Sequence, residues 1–554
     1  MNTIVFLILL NVIHALGTWK IYKVAGKKVW HALIPLYNVI VLLKIINRPW
    51  WWIFLIFIPV INVIIIPVIW VEISRSFGKN SFLDTCLCLI TIGSYNYYLN
   101  YFDKLNYIEN RSIKPKTSLG EWTSSIIFAV IAATFVHTYF IQPYTIPTSS
   151  LEKTLLVGDF LFVSKFHYGA RVPMTPIAAP MVHDSIPFTK GLAGKDPSGK
   201  SKNLRSYINK EQLPFLAELP YLRIPGFQKI RRNDIVCFNW PVDTLFNMLK
   251  PSDKSYYKPI DKKTNYVKRA VGIPGDTLEI IDGYVYINGK PNNIDERARL
   301  QFSQFIEPKN FRFSKRQMIN YDITDDFGQP PTINNNYNKN GTYFFFGVSE
   351  SSLSRLKNDP NVKSIKKAYF LNGKYLDNIS LVDGIRDLSV FPHNKNFSWN
   401  NSFFGPIVIP KKGVKVEINL NNLALYKRLI QVYENNSLEI INGKIHINNI
   451  ESTDYTFKQD YYWLMGDNRD NSQDSRSWGF VPFDHVVGKP VFKWLSIDYN
   501  ASGFNKIRWE RLFTTVQGNG KPKSYFIHFV TIVIIWYLAS KFIKKRRRNL
   551  KINN

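Results

Sequence analysis

Apolar positions along this chain fall into two regimes: long unbroken runs toward both ends, and short alternating segments between them. The opening MNTIVFLILLNVIHALGTW has no basic leader and no small-residue cleavage site, which predicts a retained membrane anchor rather than a cleaved secretory signal. Apolar runs follow at about 31–46, 51–71 and 82–101, and RPWWW at 48–52 has the composition of an interfacial aromatic belt. The basic stretch KIYKVAGKK (20–28) belongs on the cytoplasmic side, so one of the later runs has to be re-entrant or interfacial, and the number of spans stays open. From 123 to 144 no Asp, Glu, Lys or Arg occurs, and about 20 such residues suffice to cross a hydrocarbon layer of roughly 30 Å. A last run, 525–543, has Lys521 and Lys523 before it and KKRRR (544–548) after it.

Between the last two runs the period changes. DIVCFNW (234–240), GYVYING (283–289), KVEINL (415–420) and VFKWLSI (491–497) are rich in β-formers and cut by Gly, Pro and Asn turn signals. They predict a mostly stranded domain. DTLEIIDGYVYING (276–289) and NSLEIINGKIHINN (436–449) share one pattern of strand, Asn/Asp-Gly turn and strand. Common turn chemistry or an internal duplication would each produce that echo. The Asn- and Lys-rich stretch between the hairpins, 292–435, contains no recognisable chemical motif.

Composition and charge add orientation. With 554 residues, 45% of them apolar and 15% aromatic, the chain can bury a sizeable core and exceeds one ordinary domain. A net charge of +30 would suit nucleic acid, but the densest basic cluster directly follows an apolar run, which favours anionic lipid and membrane orientation. Lys104, Arg111, Lys114 and Lys116 precede the 123–144 run and KKRRR follows the last one, so both outer flanks are expected in the cytoplasm and 145 to about 522 outside it. Of the three cysteines, Cys86 and Cys88 are too close to bridge each other and Cys237 has no plausible partner, so no disulfide framework is expected.

The chemistry centres on IPTSSLEKTLLVGD (146–159), where Thr148, Ser149 and Ser150 follow the anchor. His167, His183, His393, His446 and His485 sit in no motif, and neither a G-x-S-x-G elbow nor a metal-ligand spacing occurs. A lysine can replace histidine as base if it is kept neutral. Holding an ordinary lysine unprotonated at neutrality costs roughly 4.6 kcal/mol, and burial can depress its pKa by about 3 to 5. Lys268, in NYVKRAVGIPGDTLEI (265–280), lies in a strand-like apolar run and on alternation faces away from Val267 and Arg269. GDNRDNSQDSRSWGFVP (466–482) packs acidic, basic and amide groups into a turn-rich loop, the composition of a polar network.

In order and wording these three segments, with RNDIVCFNWP (232–241), resemble the type I signal peptidases, the membrane-bound leader peptidases of bacteria. The resemblance covers roughly 140–280 and 460–495. It implies a Ser-Lys dyad in which Ser150 is the nucleophile and Lys268 the base, with Thr148 and the Ser150 backbone N–H as oxyanion donors. It further implies that Ser472 orients the lysine, that Asp474 and Arg476 form a supporting ion pair, and that Tyr144, Ile146, Leu155, Tyr266 and Val267 line the substrate pockets. Leu151 stands where the family usually has Met, Lys153 where Pro is common, and 292–435 is a large insertion.

The implied fold is a membrane-anchored, mainly β protein: an antiparallel catalytic domain with an insertion, several N-terminal transmembrane helices and one at the C-terminus. Its expected parts are a multi-span domain (1–103), a basic linker (104–122), an anchor (123–144), the catalytic domain in two pieces (145–291 and 436–500) around the insertion (292–435), a linker (501–524), a last span (525–543) and a basic tail (544–554). The implied activity is removal of signal peptides from exported preproteins at the extracytoplasmic face of a bacterial cytoplasmic membrane. No cofactor, metal or nucleic acid is expected, and the partners are preproteins and the bilayer. A non-catalytic envelope scaffold is the rival reading, which loss of Ser150 or Lys268 would favour. A self-cleaving repressor-type protease would be soluble, against the apolar runs.

Overall fold

The computed structural model describes residues 3–115, 117–194, 201–213, 218–245, 256–309, 312–323 and 341–552. Lys116 and the side chains of 545–548, invoked above for orientation, lie outside the described residues and side chains. The chain packs as two units, 1–140 with 170–224 and 243–264, and 141–169 with 225–242 and 265–554.

In the first unit, three features differ from the expectation. Among the described residues of the first hundred, Val5–Val24 is the one helix long and apolar enough to cross a membrane. The later runs break into Tyr37–Ile45, Trp52–Phe57, Asn62–Ser76, Phe82–Ile90 and Tyr95–Phe102. The longest has 15 residues, which at 1.5 Å per residue is about 22 Å, short of a hydrocarbon layer. Asn47, Val60 and Gly93 at positive φ mark the breaks. Where several N-terminal spans are expected, the described residues hold one helix of spanning length and several shorter ones. Ile21 and Tyr22 of the first helix pack with Leu43 and Ile46 in one core, and buried Glu72 is ion-paired with Arg48 at 3.4 Å and with Arg111.

The anchor expected at 123–144 is a helix over Ser118–Tyr139. It starts earlier because Thr117 caps it, accepting from the Gly120 N–H at 3.2 Å, and Glu121 suits the first turn. It stops earlier because Ile141–Thr145 is a strand paired with Asp159–Ser164. Finally, 170–224 and 243–264, expected within the β domain, pack in this unit: Thr175 donates to Asp261 at 2.7 Å, and Val60, Ala178 and Tyr207 form a small core.

The second unit is built on an antiparallel sheet in the order Ile141–Thr145, Asp159–Ser164, Val486–Ser496, Ile235–Asn239, Asn265–Gly272, Tyr461–Met465 and Val481–Pro482. Trp463, Phe404, Phe480 and Leu278 anchor its largest core. The two echoing segments are near-identical meanders: Leu278 faces Ile287 and Ile281 faces Tyr284, as Leu438 faces Ile447 and Ile441 faces Lys444. Each tip places two residues at positive φ, Asp282-Gly283 and Asn442-Gly443, the geometry that fits the right-handed strand twist. The insertion contributes a three-stranded sheet, Gln301–Pro308 between Tyr343–Ser349 and Val362–Lys367, with its own core of Ile306, Tyr343, Phe345 and Leu356. The unit ends in the helix Phe526–Ile552, of which Phe526–Lys544 has spanning length and hydropathy.

Candidate active site

Sheet order brings three distant segments together. Lys268 stands in the strand Asn265–Gly272, the loop after Tyr461–Met465 runs beside it, and the short helix Ser149–Leu151 is tied to that loop by its backbone. The tie is specific. The Asn468 N–H donates to the Ser150 carbonyl at 3.1 Å, Asn468 Nδ2 to the Ser149 carbonyl at 3.3 Å, and Asn471 Nδ2 to Ser149 Oγ at 2.9 Å. Ser149 is thus buried and occupied, while half-buried Ser150 presents its hydroxyl to Lys268 Nζ in a direct hydrogen bond. Among the three neighbouring hydroxyls, it is Ser150 that meets an amine.

Lys268 is 3% exposed. Burial, first, and then the opposed charges of Asp474, Arg476 and Asp467 leave its amine pushed down to about 8. Asp474 alone would hold the lysine protonated. Arg476 offsets it through a buried bidentate pair, Nε to Oδ1 at 2.9 Å and Nη2 to Oδ2 at 2.8 Å, while Asp474 Oδ2 also accepts from the Gly466 N–H at 3.1 Å. With the pair nearly neutral, desolvation decides the protonation of Lys268. Its nitrogen also lies 5.5 Å from the centre of the Tyr266 ring.

Ser472 differs from the expected contact. Its hydroxyl is buried without a hydrogen-bond partner among the described residues, and it lies where a Cβ on Gly466 would collide with it. Lys268 is directed at Ser150 instead. Thr148 is exposed, and its side chain does not cap the short helix that follows. Of the expected pocket residues, Ile146, Leu155 and Val267 share one apolar cluster, which Tyr144 adjoins through Val267. Leu155 is fully buried and forms its floor rather than its surface. Tyr266, on the other strand face, packs with Trp240 and Trp478 and donates to Gln473 at 3.2 Å.

Several supporting residues escaped the sequence reading. Arg269 makes a buried bidentate pair with Asp467 at 2.8 and 2.7 Å, and Thr154 donates to the same carboxylate at 2.7 Å. From the insertion, Gln301 Nε2 donates to the Glu152 carbonyl at 2.6 Å, and the Gln301 backbone bonds to Asp467 and Arg469 at 3.0 Å each. The insertion therefore begins as a brace on the segment carrying Ser150. The signal available for Arg269 was its alternation with Lys268. Nothing local pointed to Gln301.

Comparison with known proteins decides the family: residues 119–360 and 408–495 match the model of signal peptidase, peptidase S26. The chain belongs to that family. It is a hydrolase of the signal peptidase I kind, a serine endopeptidase. Signal peptidase I of Buchnera aphidicola (subsp. Baizongia pistaciae) is 24% identical over 394 residues, covering 70% of this chain and 81% of that protein. Signal peptidase I of Haemophilus influenzae is 22% identical over 430 residues, covering 74% and 79%. For that of Rickettsia canadensis the values are 26% over 279 residues, 48% and 83%. Residues 30–110, in the first unit, match a family of unknown function (DUF5684).

Proposed function

We propose that the protein removes signal peptides from exported preproteins by a Ser150–Lys268 dyad. The observation that carries this reading is the direct bond between the Ser150 hydroxyl and a buried lysine whose amine is pushed down to about 8. At that value the cost of a neutral amine at pH 7 falls from roughly 4.6 to about 1.4 kcal/mol. Neutral Lys268 takes the proton as Ser150 Oγ attacks the scissile carbonyl. The Ser150 N–H and the Thr148 hydroxyl receive the developing oxyanion. Lys268 then protonates the leaving amine, takes a second proton from the water that attacks the ester, and returns that proton to Ser150 Oγ as the acid product leaves. Half-buried Val267 and Tyr144 offer apolar surface for the small residues before the cut, with buried Ile146 in the cluster on which Val267 packs.

The protein acts at the bilayer in this reading, with helices Ser118–Tyr139 and Phe526–Lys544 as spans and the β unit outside the cytoplasmic membrane of a bacterium. A nucleophile ten or so residues from a span suits a substrate that is itself held by an apolar segment. Incubating the detergent-solubilised full chain with a signal-bearing precursor, then sequencing the product N-terminus, tests this. Cleavage directly after a small residue is expected. No cleavage, or a cut within the mature region, would overturn it.

A further inference from the structure

Apart from the Ser150 site, the second unit holds a cavity of about 330 Å³ that the reaction above does not use. Six cations line it: Lys153, Arg297, Arg299, Lys493, Arg511 and Lys521, against the single carboxylate of Glu296. Two of the six are offset from outside the lining, Arg511 by Asp159 at 2.5 Å and Lys153 by Asp322 at 2.7 Å. Arg297 is fixed by neutral acceptors, the Gly520 carbonyl and Thr515 Oγ1, each at 2.8 Å, so its guanidinium is held in place with its charge uncancelled. The side chain that singles the cavity out is Lys493. It is 3% exposed, borders the cavity, and makes no hydrogen bond or ion pair among the described residues. Burial and the cations Arg511 and Arg297 push its amine down to about 8, against the pull of Asp159. An anion entering the cavity would satisfy that amine and relieve the repulsion among its neighbours.

Position narrows the chemistry. Lys521 and Pro522 form part of the wall, and the C-terminal helix of spanning length begins at Phe526. Four residues reach at most about 14 Å, so the cavity lies close to the level of lipid headgroups if that helix crosses the bilayer. Fixed arginine forks beside a lysine match the several oxygens of a phosphate group.

We propose that this cavity binds a phosphate group, supplied by an anionic phospholipid headgroup of the leaflet that the C-terminal helix enters. The site is independent of the Ser150–Lys268 assignment, and its test does not read peptide cleavage. The full chain in uncharged detergent is titrated separately with dihexanoyl phosphatidylglycerol and with inorganic phosphate, and binding is followed by calorimetry and by ³¹P line broadening. Saturable binding is expected, with affinity about tenfold weaker in Lys493→Met and in Lys521→Glu. Lys521 is exposed, so the second variant keeps the test valid if burial makes the first misfold. Binding of the lipid without inorganic phosphate identifies a headgroup as the source, and binding of both identifies a general phosphate site. No saturable binding of either probe, or equal affinity in wild type and Lys521→Glu, would overturn the proposal.

Discussion

Lys268 and Lys493 are alike in solvent exposure and opposite in what they face. Each is 3% exposed in the same unit, and each amine is pushed down to about 8. Lys268 touches a hydroxyl and lies beside a carboxylate whose charge Arg476 already offsets, whereas Lys493 opens on a cavity walled by other cations. A depressed lysine is therefore not by itself the mark of a general base: the nucleophile within reach is what separates a base from an anion receptor.

The comparison breaks most visibly at the first lysine. Ser150→Ala and Lys268→Ala are each expected to lower precursor cleavage by about 10³-fold or more while the protein still extracts as a folded membrane species, as read by product bands over time. Retained cleavage in either would erase the distinction. Next in size is the buried pair behind Lys268: Asp467→Asn leaves Arg269 without its carboxylate, and should destabilise the protein by about 3 to 5 kcal/mol in denaturant melts.

Stability should then treat the two lysines alike. Both amines titrate lower in the folded chain than the ordinary lysine value, so the unfolded chain binds more protons between about pH 8 and 10.5 and stability rises with pH across that window. Below pH 8 the full penalty applies. Lys268→Met and Lys493→Met should each stabilise by roughly 2 to 4 kcal/mol at pH 7 and lose that residue's share of the rise, measured by thermal melts from pH 7 to 10. A smaller effect separates them again: Arg476→Gln exposes Lys268 to an unbalanced Asp474, moving the midpoint of the activity profile to higher pH.

Much of the sheet was legible because its cues are local. DIVCFNW became Ile235–Asn239, VFKWLSI lies largely within Val486–Ser496, and the Asp-Gly and Asn-Gly tips adopt the turns their residues favour. The end of the anchor helix was not legible. Ile141–Thr145 continues the charge-free stretch of the helix before it, and its strand state comes from pairing with Asp159–Ser164. At the site, the family resemblance singled out Ser150 and Lys268, but the reason Ser149 is occupied lies in Asn471, 322 positions away. Arg269 and Asp467, 198 positions apart, and Gln301, inside an insertion with no motif, were invisible for the same reason: long-range polar pairing leaves no periodicity.

The central claim is that an uncharged Lys268 receives the Ser150 proton, and the pH dependence of kcat/KM for precursor cleavage by the detergent-solubilised full chain tests it most directly. The account predicts a single rise with midpoint near pH 8, unmoved by Lys493→Met and shifted upward by Arg476→Gln. A profile flat from pH 6 to 10, or a midpoint near 6.5 as a histidine would give, would contradict it.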